Sequence, residues 1–189
     1  MSRAGQIIDN PVSGERITFL QTAADTAGNL LEFEFEFELE LAADGRVPGA
    51  HVHPEQEERF EVLDGTMRFR LGLRTIVAQV GDTVVVPAGR VHRFVNGGDG
   101  PARVRVQVQP ALDMEELLVT TAQLAHEGHV LRSGMPKPLH LALFVRRFRR
   151  EVRAPLAPAW VVQGLMAPVA ALARSRGHGE RYAPQPAFA

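Results

Sequence analysis

Four residues have the types and spacing of a metal-binding set: His51, His53, Glu58 and His92. His51 and His53 are two positions apart on an extended run, and such residues in a strand point to the same side, so both imidazoles can reach one point. Three imidazoles and one carboxylate form a ligand set for a first-row divalent metal. The alternative is that the first two histidines are exposed on a loop and that His92 is a hydrogen-bonded core residue.

At these residues the sequence resembles the cupin family, because both family motifs are present in order and with the family spacing. The residues that match them are Gly45, His51, His53, Glu58, Gly65, Gly81, Pro87, Gly89, His92 and Asn96. The resemblance implies a double-stranded β-helix, or jelly-roll barrel, with a metal inside. It does not imply one activity, since this fold hosts many. Glu57 competes with Glu58 as the carboxylate ligand, and the spacing to Gly65 favours Glu58.

Alternation of apolar and polar residues predicts a mainly β fold. From Leu31 to Leu41 apolar residues alternate with five glutamates, a period of two that predicts a long, half-buried strand. We interpret the glutamate face as a solvated sheet surface rather than a patch for a cationic partner. Neighbouring strands are expected to relieve the repulsion with arginines at alternate positions, namely Arg68, Arg70, Arg103 and Arg105.

After Pro110 the pattern of apolar residues changes to a helical one, so we expect C-terminal α-helices that follow the barrel in the chain. Asp113 and Glu116 are spaced as a capping box at the start of the first helix. We therefore predict a cupin barrel at residues 1–110, a helical extension at 111–175 and a flexible tail at 176–189.

The extension contains two segments of contrasting composition. A predicted helix at 139–153 has apolar residues on one face and arginines on the other. Segment 155–173 has no charge but is interrupted by prolines and a glycine, which favours a buried helical hairpin over a membrane span. The apolar face of the helix at 139–153 is expected to pack on the barrel or on a second subunit. Membrane-surface contact through 139–173 is the alternative.

The composition excludes several classes of function. A net charge of −1 gives no overall field that would attract nucleic acid, although residues 1–110 carry −5 and residues 111–189 carry +4. No cysteine is present, which excludes disulfides, thiolate metal sites and cysteine nucleophiles. No apolar signal core follows Met1, so we expect a cytoplasmic protein. Arginine outnumbers lysine 20 to 1, which suggests a bacterial source.

The bound metal is expected to be one divalent ion of iron, zinc, manganese or nickel, because imidazole and carboxylate ligands suit all four. In an octahedral site, four protein ligands leave two positions for water, substrate or dioxygen. Four apolar residues are predicted to line the same cavity, with plain core packing as the alternative: Phe60, Met67, Phe69 and Phe94. The nearest candidates for a general base are Arg59, Glu61 and Arg90, and alternation along the strand places the first two outside the barrel.

Two functions are consistent with these residues. The first is a metalloenzyme acting on a small organic molecule, with iron-dependent dioxygenation as the leading reaction and isomerase or lyase chemistry as the less favoured alternative. The second is a non-catalytic cupin that binds a small ligand, or stores or senses a metal, with the helices as a partner or membrane-surface contact. The family resemblance also implies a homodimer, formed through sheet edges or swapped N-terminal strands.

Overall fold

The chain folds into antiparallel strands followed by helices, in a computed structural model that describes residues 2–37, 49–155 and 157–183. The strands are β1 (Ile7–Asn10), β2 (Glu15–Gln21), β3 (Leu31–Phe37), β4 (Glu57–Asp64), β5 (Thr66–Leu71), β6 (Arg74–Gln79), β7 (Thr83–Val86), β8 (His92–Asn96) and β9 (Ala102–Gln109). The helices are α1 (Met114–His126), α2 (Pro138–Arg147), α3 (Ala159–Ser175) and a 3-10 turn at Glu180–Tyr182. The predicted fold class, mainly β with C-terminal α-helices, is confirmed.

The strands form two sheets that enclose an aromatic core. One sheet has the order β1-β2-β3-β9-β4-β7 and the other has the order β6-β5-β8. The ring of Phe60 on β4 lies 5.2 Å from that of Phe69 on β5 and 5.0 Å from that of Phe94 on β8. Because these contacts cross from one sheet to the other, the two sheets pack face to face as a jelly-roll barrel.

Strand β3 has the predicted two faces. Its apolar side chains are buried, and Glu34 on the outer face accepts hydrogen bonds from Arg103 at 3.2 Å and Arg105 at 3.4 Å on β9. The prediction was wrong for Arg68 and Arg70, because β5 belongs to the other sheet and pairs with β6 and β8. The remainder of the predicted strand, 38–41, lies outside the described residues, as does Gly45.

Gly65 makes the tight turn between β4 and β5. Its φ of +72° lies in the left-handed region, and a Cβ atom at this position would be 2.3 Å from the carbonyl oxygen of Pro101. Both facts require glycine here. Asn96 closes a second turn, since its side-chain amide donates to the carbonyl of Gly100 at 2.7 Å.

The helices pack against the barrel. Met114 and Leu117 on α1 are buried in the same core as the strands. Arg147 on α2 donates hydrogen bonds to the carboxylates of Asp113 and Glu116, which joins α2 to the start of α1. The predicted capping box was therefore wrong, because Asp113 makes no side-chain cap and both carboxylates pair with an arginine instead.

Segment 155–173 does not form a buried hairpin, so that prediction was also wrong. Residues from Ala159 to Ser175 form one helix that accommodates Pro168, and its buried side chains are Ala170 and Ala173. Trp160 is 79% exposed. None of the helices within the described ranges combines the length and apolar character that a bilayer crossing requires.

The helix predicted at 139–153 ends before residue 153. Helix α2 stops at Arg147 and a turn follows at 148–151, after which Arg153 pairs with Val52 of the barrel through two backbone hydrogen bonds of 2.9 and 3.0 Å. The described part of the tail is also packed, because Tyr182 is buried and its hydroxyl lies 3.1 Å from Nδ1 of His140.

Candidate metal centre

His51 and His92 are held side by side by backbone pairing. The amide of each donates to the carbonyl of the other at 3.0 Å, which joins the HxH segment to the start of β8. On its other side, the same segment pairs with Arg153 through Val52. The barrel and the segment that follows α2 therefore fix the HxH segment from both sides.

Glu58 enters the site because of its position on β4. Exposed and buried residues alternate along this strand, so Glu58 and Phe60 point inward while Glu57 and Arg59 are exposed. Glu58 is 6% exposed, and this burial favours it over Glu57 as the carboxylate of the site.

The four side chains converge on one point. One ligand atom from each of His51, His53, Glu58 and His92 lies within 4.8 Å of all the others. Oε2 of Glu58 is 2.9 Å from Nε2 of His92 and 3.3 Å from Nε2 of His53. These pairs are close but poorly aligned, and none of the three buried atoms has a hydrogen-bond partner within the described part of the chain. Buried polar atoms normally have partners, so this convergence fits a cation that binds all of them.

Each imidazole is oriented through its second nitrogen. Nδ1 of His51 lies 2.8 Å from the carbonyl of Gly49, Nδ1 of His92 lies 3.1 Å from that of Arg90, and Nδ1 of His53 contacts the carbonyl of Glu151. Because a carbonyl can only accept, each Nδ1 carries the proton and each Nε2 keeps its lone pair for the site. This arrangement is typical of metal-binding histidines.

The charges in the cluster support ion binding. Burial opposes ionisation of Glu58, but the three histidines more than offset it and lower the pKa of Glu58 to about 2. Burial and the neighbouring His53 and His92 lower the pKa of His51 to about 4, so its imidazole is neutral at pH 7. Burial also lowers the pKa of His92, but contact with Glu58 outweighs it and the net shift is upward. The ionised Glu58 and the neutral His51 are in the protonation states that metals bind, and a bound ion would displace the proton that contact with Glu58 favours on His92.

A cavity of about 360 Å³ opens onto this cluster. His51, His53 and Glu58 form part of its lining, together with barrel residues such as Ile17, Phe35 and Val106. Helices α1 and α2 complete the wall with mostly apolar side chains: Met114, Leu117, Leu118, Leu141, Phe144 and Val145. The volume lies within the range of small-molecule sites, and the lining is apolar except for a few convergent polar groups.

The structure divides the predicted pocket residues into two groups. Phe60 and Phe94 line the cavity. Met67 and Phe69 are fully buried between the sheets and are not part of its lining.

The candidate bases named from the sequence lie away from the cavity. Arg59 is exposed, and Glu61 contacts Arg105 at 3.3 Å on the outer sheet face. Arg90 lies in the exposed turn before β8.

One carboxyl group in the cavity, that of Glu15, was not predicted. It begins β2, where Glu15, Ile17 and Phe19 alternate with outward-facing residues and are buried. The alternation in the sequence indicates this position, because Glu15 lies two and four residues before the core residues Ile17 and Phe19.

Comparisons with known proteins identify the barrel. Residues 37–108 match the family profile described as "Cupin domain". The tetracenomycin polyketide synthase protein TcmJ of Streptomyces glaucescens is 27% identical over 96 residues, which are 51% of this chain and 58% of TcmJ. The chain therefore matches little more than half the length of this relative.

Solved structures with similar barrels have low sequence identity. KdgF from Halomonas sp. has a TM-score of 0.48 and 17% identity, over 58% of this chain and 90% of its own. An RmlC-like cupin from Shewanella frigidimarina has a TM-score of 0.48 and 17% identity, over 61% of this chain and 94% of its own. On the profile match and the two-sheet topology described above, this chain carries a cupin domain.

Proposed function

We propose that this chain is a metal-dependent enzyme that acts on a small, largely apolar organic molecule bearing oxygen atoms. The observation that carries the proposal is the position of the His51, His53, Glu58 and His92 cluster, which opens onto an apolar cavity of about 360 Å³. A storage or purely structural metal site has no need of such a cavity, whereas a catalytic site needs space for substrate beside its metal.

The residues of the chain have separate tasks in this proposal. The three imidazoles and Glu58 hold the ion, and the backbone carbonyls at Nδ1 keep the imidazoles oriented. A bound divalent ion would supply Lewis-acid polarisation of a substrate oxygen or, if it is iron, reactivity toward dioxygen. Phe60 and Phe94 exclude water and hold the apolar part of the substrate.

The name of the relative supports a class of substrate. TcmJ is described as a polyketide synthase protein. Polyketide-derived molecules combine an extended carbon framework with regularly placed oxygens, and this chemistry suits an apolar cavity with a metal at one end. We therefore propose a polyketide-like aromatic or ketone as substrate, with dioxygenation as the leading reaction and isomerisation or lyase chemistry as the alternative.

A non-catalytic ligand-binding role is the second candidate function. It is favoured by the exposed apolar side chains of α3, where Trp160 is 79% and Leu165 is 67% exposed, since such a surface suits contact with a partner. In that case the cavity would bind a ligand without converting it.

The two candidates differ in turnover. Protein loaded with Fe(II), Mn(II), Zn(II) or Ni(II) should be offered a panel of catechols, naphthols and hydroxylated anthraquinones, with oxygen uptake and product mass measured. The proposed enzyme converts at least one compound in a metal-dependent manner, His51→Ala abolishes the conversion, and His126→Ala on the exposed surface of α1 does not. Metal-dependent binding without conversion would favour the ligand-binding role. No metal-dependent binding of any compound would contradict both candidates.

A further inference from the structure

Glu15 places a buried carboxyl group on the wall of the cavity that the metal cluster shares. Glu15 is 8% exposed, and its Oε2 accepts a hydrogen bond of 2.7 Å from the hydroxyl of Ser13, which is also buried. Oε1 is buried and has no hydrogen-bond partner among the described residues. A structural carboxyl normally has partners for both oxygens, so an unpartnered oxygen on a residue that lines a cavity points to a ligand.

The surroundings of Glu15 are apolar. Burial raises the pKa of Glu15 to about 7, and the hydrogen bond from Ser13 only partly opposes this shift. Apart from the metal cluster, the other ionisable residues among the described cavity lining are Asp9, Arg149 and Arg153. Asp9 is largely exposed and its carboxylate lies 3.1 Å from the ring of His126. Near neutral pH the Glu15 carboxyl is therefore able both to donate and to accept a hydrogen bond.

Strand register separates Glu15 from the metal cluster. Glu15 pairs with Phe37, which pairs with Ala102 at the start of β9, whereas Glu58 pairs with Val108 near its end. The six steps from Ala102 to Val108 on β9 correspond to about 20 Å along the strand. Strands β3 and β9 also lie between β2 and β4 in the sheet. Curvature of the sheet shortens the direct path, but the register places the two polar groups toward opposite ends of the sheet whose inner face lines the cavity.

We infer that Oε1 of Glu15 is a hydrogen-bonding anchor for a hydroxyl or ketone oxygen at the end of the substrate remote from the metal cluster. The substrate is then an elongated, largely apolar molecule, such as a fused-ring phenol, with oxygens at both ends. This inference rests on the proposed function, because it assigns the metal cluster to the near end of the same molecule. It makes Glu15 a specificity-determining residue rather than a metal ligand.

Two matched probes test this role: 2,6-dihydroxyanthraquinone has hydroxyls at both ends, and 2-hydroxyanthraquinone lacks one of them. Calorimetric titration of metal-loaded protein gives the affinity ratio of the two. Wild type should favour the dihydroxy probe by about tenfold, the contribution of one good hydrogen bond in a buried site. Glu15→Leu should reduce the ratio to below about twofold, and Glu15→Gln, which still donates and accepts, should retain most of it. Asp99→Asn, which alters an exposed carboxylate outside the cavity lining, should leave the ratio unchanged.

The outcomes separate the two levels of the proposal. Equal binding of both probes by wild type, or an undiminished ratio in Glu15→Leu, would overturn the role of Glu15 and leave the proposed function intact. Failure of wild type to bind either probe would remove the proposed substrate class and with it the role of Glu15. If Glu15→Leu does not fold, as judged by circular dichroism, Glu15→Ala replaces it in the same titration. Equal binding of both probes by wild type would still overturn the role of Glu15.

Discussion

Nδ1 of His53 donates a hydrogen bond to the main-chain carbonyl of Glu151, a residue 98 positions later in the chain. The segment that follows α2 therefore orients a histidine of the barrel. Arg153 reinforces this contact by pairing with Val52, the residue between the two histidines of the HxH segment. The helical part of the chain thus contributes to the geometry of the candidate metal centre as well as to the wall of the cavity.

Arg153→Pro tests this coupling. The substitution removes the amide that donates to Val52 at 2.9 Å and restricts the backbone of Val152, which follows the Glu151 carbonyl. Partners that orient metal-binding histidines contribute about 10- to 100-fold to affinity, so we expect metal affinity to fall by at least about tenfold in a chelator competition. Arg153→Ala keeps the backbone amide and serves as the control. Equal affinities in the two variants would show that the pairing does not support the centre.

Glu15 gives a pH dependence of stability. Its pKa is about 7 in the folded chain and has an ordinary value of 4.5, so between these values the folded state holds a proton that the unfolded state has lost. Stability from this group is therefore complete below about pH 4.5, falls as pH rises toward 7, and is constant above. Glu15→Gln has no such proton to lose. From pH 5 to pH 8 its free energy of unfolding should therefore rise by ~2–3 kcal/mol relative to that of wild type, since one pKa unit corresponds to ~1.4 kcal/mol.

Urea unfolding at the two pH values measures this difference, and Asp9→Asn controls for removal of an exposed carboxylate. Stability curves of wild type and Glu15→Gln that stay parallel across the range would mean that Glu15 is not a buried titrating group.

His140 should make the C-terminal packing sensitive to acid. Burial, then the neighbouring His129 and His178, lower its pKa to about 4 from an ordinary 6.5. Between these values the unfolded state binds a proton that the folded state does not, so stability is lost as pH falls from about 6.5 to 4. His140→Gln cannot take up this proton and should lose less stability over that range in thermal unfolding. A variant that loses as much stability as wild type would assign the acid sensitivity to other groups.

Gly65→Ala should destabilise the barrel strongly. Alanine would have to adopt a φ of +72° and place its Cβ 2.3 Å from the carbonyl oxygen of Pro101. The left-handed backbone alone costs ~1–2 kcal/mol, so with the clash we expect a loss of at least ~2 kcal/mol in denaturant unfolding. Gly100→Ala is the matched control, because a Cβ there meets no atom within 4 Å. Similar losses in both variants would contradict this account of the turn.

Local periodicity in the sequence was sufficient to predict the strands and the inward direction of Glu58. Alternation with a period of two sets which side chains face the core, and this rule holds along β3 and β4. The same rule also applies to Glu15, which faces inward with Ile17 and Phe19 on β2. What local patterns could not give were contacts between distant segments, such as His53 with Glu151 or Arg147 with Asp113.

The errors in the helical region have a common physical origin. The local sequence at Asp113 is typical of a helix N-cap, but its carboxylate instead forms a tertiary ion pair with Arg147. Segment 155–173 had the composition of a buried element, yet α3 fully buries only Ala170 and Ala173 and leaves large apolar side chains such as Trp160 and Leu165 exposed. In both cases local sequence was outweighed by the position of the helix in the tertiary structure.

Metal content is the most direct test of the account. Protein purified without a chelating resin should be measured by elemental analysis, alongside His51→Ala and Glu58→Ala, with His126→Ala as an exposed control. We predict that wild type and His126→Ala each retain about one first-row divalent ion per chain, and that His51→Ala and Glu58→Ala lose most of it because each removes one of four ligands. Equally low metal in wild type and both ligand variants, even after incubation with iron, zinc, manganese or nickel, would contradict the proposed centre.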